Sequence, residues 1–260
     1  MEIRSSSNAR FKRLLALASS ARDRKQMALA LLEGEHLAQA WLEAGAGPVD
    51  EVVLPRRSKE RSQLWALSQR LGLTVLLMDD ALFDRLSQVA HGPGPLFTIP
   101  VPQRRIDAPL DGDAIYLDGL QDPGNAGTLL RSALAFGVRC VMASPDCVDL
   151  WSPKVLRAGM GAHFGLAISE GLDPRQIIDL KGKSILTATL PQAAMQLPDA
   201  DLRGPRVWLF GSEGRGLSPQ FSDSGCCEGL RIPHQSGVES LNVAVAASIC
   251  LFEQFRQRSL

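Results

Sequence analysis

The residues of this chain whose types and spacing suit chemistry stand in three short stretches. Asp122-Pro123-Gly124-Asn125-Ala126-Gly127-Thr128-Leu129-Leu130-Arg131 sets an asparagine at the mouth of an expected helix and a guanidinium nearly two turns inside it. Leu209-Phe210-Gly211-Ser212-Glu213-Gly214-Arg215-Gly216-Leu217-Ser218 runs a hydrophobic strand into three glycines and one carboxylate. Glycines so placed let a backbone come close to a ligand. The third stretch, from Gly229 to Glu253, passes from the extended Leu230-Arg231-Ile232-Pro233 through a polar turn at His234 to Gly237 and into a helix opening at Ser240-Leu241-Asn242. With Ser240 as its cap, that helix offers free backbone N–H groups and the positive end of its dipole, which suits a carboxylate or phosphate.

Each stretch taken alone also has a plain structural reading. Asn125 reads as an N-cap and Arg131 as a surface arginine. The glycine loop is not a Walker loop, because no Gly-Lys-Ser/Thr follows. It is a poor dinucleotide fingerprint, because Ser218-Pro219 replaces the following helix and the loop comes late in its domain. A nicotinamide-dependent oxidoreductase is still an alternative on this loop alone. The last stretch reads as a well-capped core helix: Val243 to Phe252 leaves almost no polar face and is expected to be buried nearly all round.

The elements that must position these residues follow from periodicity. A helix from Ser5 to Lys25 carries Phe11, Leu14, Leu15 and Leu17 on one side and Arg10, Lys12, Arg13, Arg22, Arg24 and Lys25 on others, so it is amphipathic with a basic face. A helix through Trp41, a strand Glu51 to Leu54, a helix Ser58 to Leu71, a strand Thr74 to Met78 and a short helix capped by Asp79-Asp80 then predict a small α/β sandwich. Leu96 to Val101 reads as its closing strand, and the proline- and glycine-rich run after it as a linker. The boundaries are 1–103, a linker 104–112, and 113–260. In the second part, strands at Ala114–Asp118, Val138–Ala143, Phe164–Ile168, Ser184–Ala188 and Val207–Phe210 alternate with helices at Asn125–Phe136, Pro153–Arg157 and Pro174–Leu180. Strand, helix, strand in repeated order predicts a parallel sheet with the glycine-rich loops at the carboxyl ends of its strands.

The bulk composition sets limits. A chain of 260 residues with 45% hydrophobic content supports a real core, and a formal net charge of zero means that a polyanionic partner must be met by a local basic patch. Five cysteines without CxxC spacing, among them the adjacent Cys226-Cys227, read as reduced thiols, and the scattered histidines make a metal site unexpected. No apolar run reaches the length of a membrane span and the N-terminus lacks a secretory core, so a soluble cytoplasmic protein is expected.

Asn-x-Gly-x-x-x-Arg at 125–131, Gly-Ser-Glu-Gly-x-Gly-Leu-Ser at 211–218 and Ile-Pro-x-x-x-Gly-x-x-Ser-Leu-Asn-Val at 232–243 together resemble the three ordered motifs of the SpoU (TrmH) branch of the SPOUT RNA methyltransferases. Arg157-Ala158-Gly159-Met160-Gly161-Ala162 is similar to a fourth segment of that family, and the resemblance spans 113–257. Asn8 to Arg13 and Leu32 to Leu37 resemble the N-terminal substrate-binding domain of many rRNA-modifying members, with a ribosomal-protein-like α/β fold. The resemblance implies a deep trefoil knot whose crevice holds S-adenosylmethionine, and methyl transfer from it to a ribose 2′-hydroxyl of RNA. By matching position it assigns Thr189, Gly211, Ile232 and Leu241 to the cofactor, and Asn125, Arg131, Glu213, Ser240 and Asn242 to the reacting end. Arg131 matches the family's catalytic arginine. Because a guanidinium is costly to deprotonate, its expected role is to clamp the adjacent phosphate and orient the hydroxyl. Arg10, Lys12 and Arg13 are the expected RNA contacts, ribosomal RNA is preferred to transfer RNA, and a homodimer through the C-terminal domain is implied. His234 departs from the family, which commonly has methionine there. A non-catalytic RNA-binding relative is a further alternative.

Overall fold

The computed structural model describes residues 2–58, 65, 72–89, 92, 94–102, 112–180, 184–222 and 225–259. The chain forms two compact units, residues 1–102 with 151–164, and residues 103–150 with 165–260. The expected helix Ser58 to Leu71 falls almost wholly outside the described residues, as does the linker but for Gly112.

The first unit runs β1 (Glu2–Ile3), α1 (Ala9–Ser19), α2 (Ala21–Met27), β2 (Leu29–Glu33), α3 (Glu35–Glu43), β3 (Glu51–Pro55), β4 (Val75–Met78), α4 (Asp80–Asp84) and β5 (Leu96–Pro100). Its sheet has the order β1-β4-β3-β5-β2, in which β5 lies antiparallel to both neighbours and the other pairings are parallel. Phe11, Leu14 and Leu17 of α1 pack with Leu31, Val53, Leu76 and Phe83 into its core. The single basic helix expected over 5–25 is two helices. Ser20 adopts an extended backbone, ends α1, and accepts a hydrogen bond from the Asp23 N–H to cap α2. A serine hydroxyl competes in this way with continued helix. Arg24, expected on the basic face, is instead buried and donates to the Leu17 carbonyl at 2.6 Å.

The second unit begins with β6 (Ala114–Asp118), α5 (Pro123–Ala135) and β7 (Cys140–Ala143). α6 (Pro153–Gly159) follows and belongs to the first unit, where it packs on β2. Then come β8 (Ala167–Glu170), α7 (Pro174–Ile178), β9 (Ile185–Thr189), β10 (Arg206–Gly211), α8 (Pro219–Ser222), β11 (Glu228–Leu230) and α9 (Val243–Arg258). The six strands are all parallel in the order β11-β9-β10-β6-β7-β8, as the alternation predicts. The chain winds outward from β6 through β7 to β8 and then returns on the other side through β9 and β10. The crevice where strand order reverses is the place such sheets use for ligands. The strand expected to start at Phe164 starts at Ala167, because residues 162–165 form a 3-10 turn that follows Gly161 at φ 88°.

The last helix is tied to the sheet by a buried polar chain. The indole N–H of Trp208 donates to Gln254 Oε1 at 2.7 Å, and the Gln254 amide donates to Asp113 Oδ1 at 3.0 Å. Its cap is Asn242, whose side chain accepts from the Ala244 and Val245 N–H groups, and not Ser240. Both residue types cap well, and the one immediately before the apolar run holds the position. Nor is α9 buried all round. Ala244, Ala247, Cys250 and Leu251 face the core, whereas Val245, Ile249, Phe252 and Phe255 are 48%, 36%, 50% and 45% exposed and form one stripe. Among the described residues no helix is long and apolar enough to cross a membrane.

Candidate active site

A cavity of about 400 Å³ opens at the carboxyl ends of β9 and β10, within the range of small-molecule sites. Thr189, Gly211, Ile232 and Leu241 all line it, and so do Glu213, Ser240 and Asn242. Parallel pairing explains the gathering: Gly211 is in register with Asp118, and Leu230 with Thr189, so the loops leaving these strands emerge side by side.

The glycine loop is closed on itself. Ser212 N–H donates to the Gly216 carbonyl at 3.0 Å, and Gly216 N–H returns to the Ser212 carbonyl at 2.9 Å. The loop's far end is held by Asp118, one of whose carboxylate oxygens accepts both the Ser218 N–H and hydroxyl at 2.6 Å. Arg215 donates to Asp146 at 2.6 Å, and Ser144 holds the other oxygen of that carboxylate at 2.5 Å. The Asp146 carboxyl is therefore held below its ordinary range, first by Ser144 and then by Arg215. Asp118 and Asp146 were not foreseen from sequence. Their only signal there is a small polar residue at a strand end, which fits any turn.

One polar chain joins the three motifs. Glu213 Oε1 accepts from the Asn125 side-chain amide at 2.8 Å, Asn125 Oδ1 accepts from the Asn242 amide at 3.0 Å, and the Asn242 oxygen caps α9. The backbone N–H groups of Gln121 and Asp122 also donate to Glu213. Burial works against ionisation of Glu213, but the bonds from Asn125 and the backbone outweigh it and leave the carboxyl lowered. Asn125 is free for this because it is not the helix cap: Asp122 caps α5, accepting from the Asn125 N–H at 2.7 Å.

Asn125 and Arg131 do not line the cavity. Arg131 is exposed on α5 and has no side-chain hydrogen bond or ion pair among the described residues. Its helix packs against α9, where Ser132 meets Ser248 at 2.7 Å and Phe136 stacks edgewise on Phe252 with ring centroids 5.7 Å apart. Arg131 thus lies on the helix that neighbours the exposed apolar stripe. His234 lines the cavity, with Nδ1 3.2 Å from the Gln235 carbonyl.

The expected RNA contacts of the first unit are not equivalent. Arg13 joins Asp50 at 2.8 Å and Glu51 at 2.7 Å, and Arg10 approaches Glu51 at 3.4 Å. Lys12 is exposed. The five cysteines are free thiols, and among the described residues no group of histidine, cysteine or carboxylate side chains is arranged to hold a metal.

The SpoU rRNA Methylase family profile matches residues 113–252. An uncharacterised tRNA/rRNA methyltransferase of Synechocystis is 34% identical over 98% of this chain and 94% of its own length. The 23S rRNA (guanosine-2′-O-)-methyltransferase RlmB of Bordetella pertussis is 31% identical over 88% of this chain and 97% of its own. Among solved structures, an RNA 2′-O ribose methyltransferase superposes with a TM-score of 0.82 at 29% identity, covering 100% of both chains. The SpoU methyltransferase AviRb of Streptomyces viridochromogenes, in complex with AdoMet, does so with a TM-score of 0.85 at 25% identity over 97% of this chain and 98% of its own.

Proposed function

The chain belongs to the SpoU family of S-adenosylmethionine-dependent RNA ribose 2′-O-methyltransferases, and we propose that its substrate is ribosomal RNA and its working form a homodimer. The observation that carries the catalytic reading is the Glu213–Asn125–Asn242 chain, which joins all three motifs at the mouth of one ligand-sized cavity. Mapping ribose methylation in RNA from cells with and without this protein tests the substrate. Loss of a single 2′-O-methyl group from ribosomal RNA is expected, and loss from transfer RNA would replace that substrate.

When bound, S-adenosylmethionine supplies an electrophilic methyl group on a sulfonium. The residues lining the cavity fit it: Gly211 brings a bare backbone to the wall, and Thr189, Ile232 and Leu241 offer backbone groups and apolar surface to the adenosine. Glu213 fixes the glycine loop and the Asn125 amide, so Asn125 and Asn242 stand in set orientations beside the ribose. The 2′-hydroxyl is a weak nucleophile and must be held in line with the methyl carbon while it loses its proton. Arg131 clamps the neighbouring phosphate with its planar fork and so orients that hydroxyl.

In this reading residues 113–260, including the 151–164 segment that belongs to the first compact unit, are the methyltransferase domain, whose C-terminal segment threads a deep trefoil knot. Residues 1–103 are a ribosomal-protein-like RNA-binding domain, and 104–112 link the two. The dimer forms through the second domain. Val245, Ile249, Phe252 and Phe255 supply its apolar surface, whereas Ala244, Ala247 and Leu251 of the same helix face the core. An exposed apolar stripe of this kind is stabilised when a symmetric copy covers it. Arg131, beside the stripe and without a partner among the described residues, then serves the partner's cavity. Sedimentation at micromolar concentration should show a dimer, and Phe252→Asp a monomer. Mixing inactive Arg131→Ala and Asn242→Ala proteins should regenerate activity, because one of the two hybrid sites contains both residues. A confirmed heterodimer without activity would remove the shared site.

For the first domain, Lys12→Ala should reduce the salt slope of RNA binding by about one, as when one phosphate contact is lost. Arg13→Ala should change the slope less, since Arg13 is already paired with Asp50 and Glu51. An unchanged slope for Lys12→Ala would assign α1 to ordinary solvated surface.

A further inference from the structure

Three charged residues line the cavity, and they differ in commitment. Glu213 is occupied by Asn125 and by the N–H groups of Gln121 and Asp122. Arg231 and Glu239 are exposed, and neither side chain has a hydrogen bond or ion pair among the described residues. Arg231 is nonetheless fixed in place, because its backbone N–H donates to Met195 and its carbonyl accepts from Leu197, both at 2.9 Å. Glu239 lies between the turn at 236–237 and the Asn242 cap. The lining of one cavity therefore carries a guanidinium and a carboxylate that form no ion pair with each other.

Such a pair suits a zwitterion. A guanidinium fork matches a carboxylate, and a free carboxylate accepts from an ammonium. We propose that Arg231 and Glu239 form the subsite for the amino-acid end of S-adenosylmethionine, Arg231 taking the α-carboxylate and Glu239 the α-ammonium. This rests on S-adenosylmethionine being the ligand. The charges of the whole lining agree, since two carboxylates against one guanidinium complement a ligand carrying an ammonium and a sulfonium against one carboxylate. The adenosine is left to the uncharged wall of Thr189, Gly211, Ile232 and Leu241.

The test is calorimetry on the full chain with three ligands: S-adenosylmethionine, its decarboxylated form, and 5′-methylthioadenosine, which lacks the amino-acid end. Arg231→Gln should weaken S-adenosylmethionine about tenfold to a hundredfold, as for a lost charge-assisted bond, and leave the decarboxylated ligand within about twofold. Glu239→Gln should weaken both ligands that carry the ammonium. Neither variant should alter 5′-methylthioadenosine, which also shows that both remain folded. Equal weakening of all three ligands, or unchanged affinity for S-adenosylmethionine in both variants, overturns the subsite. A folded wild-type protein that binds none of them overturns the cofactor reading itself, and the subsite with it.

Discussion

Arg131→Ala is expected to bind S-adenosylmethionine within about twofold of wild type and to transfer its methyl group about a hundredfold to a thousandfold more slowly, the range seen when a group acting on the transition state is removed. Affinity should hold because Arg131 does not line the cavity and makes no side-chain hydrogen bond or ion pair among the described residues. Removing it therefore disturbs no wall of its own subunit's cavity. The rate should collapse because a hydroxyl displaced by an ångström from the methyl carbon loses most of its advantage. Arg131→Lys should recover little, since an ammonium is a point charge without the planar fork. Single-turnover rates beside equilibrium binding decide the matter. If affinity falls in parallel with rate, Arg131 belongs to cofactor binding and the clamp is wrong.

Gly211→Ala is expected to weaken cofactor binding about a hundredfold or more, and the structure changes the reason. Sequence suggests that a side chain would obstruct the ligand. In the fold, a Cβ at Gly211 would lie 2.2 Å from the Gly216 carbonyl carbon and 2.4 Å from Leu217 N, so it collides first with the loop's own backbone. Backbone cannot rotate away as a side chain can. The Ser212–Gly216 bridge must open, moving Glu213 at one side and Leu217 at the other. Overpacking of this kind costs about 3 kcal/mol or more where nothing can relax, about a hundredfold in affinity. Gly214 is the control in the same loop: a Cβ there meets nothing within 4 Å, and Gly214→Ala should bind normally. Equal behaviour of the two variants would mean that the loop is not held closed as described.

The parallel sheet and the gathering of motifs were legible because apolar runs ending in glycine, such as Val207 to Gly211, fix both a strand and the loop at its carboxyl end. Capping was less legible. Asp122 and Asn125, or Ser240 and Asn242, are equally good caps by type, and only the start of the hydrogen-bonded turn chooses between them. That choice matters here, since it frees Asn125 to join Glu213 to Asn242. The faces of α9 could not be assigned from an almost uniformly apolar sequence, because periodicity carries no signal when every position is hydrophobic. Arg231 and Glu239 escaped notice for the opposite reason: charged residues on either side of a polar turn look like solvated surface until both are found to line one cavity. The contact of Asp118 with Ser218 spans 100 positions and leaves no local trace.

Methylation of the ribose 2′-oxygen of RNA by this chain is checked by incubating the protein with methyl-labelled S-adenosylmethionine and unmodified ribosomal RNA, then hydrolysing the product in alkali. Alkaline cleavage needs a free 2′-hydroxyl as its nucleophile, so a 2′-O-methyl group protects the adjoining phosphodiester. The label is expected in alkali-resistant dinucleotides. Label released in mononucleotides, as from a methylated base, or no transfer by protein that demonstrably binds S-adenosylmethionine, would contradict it.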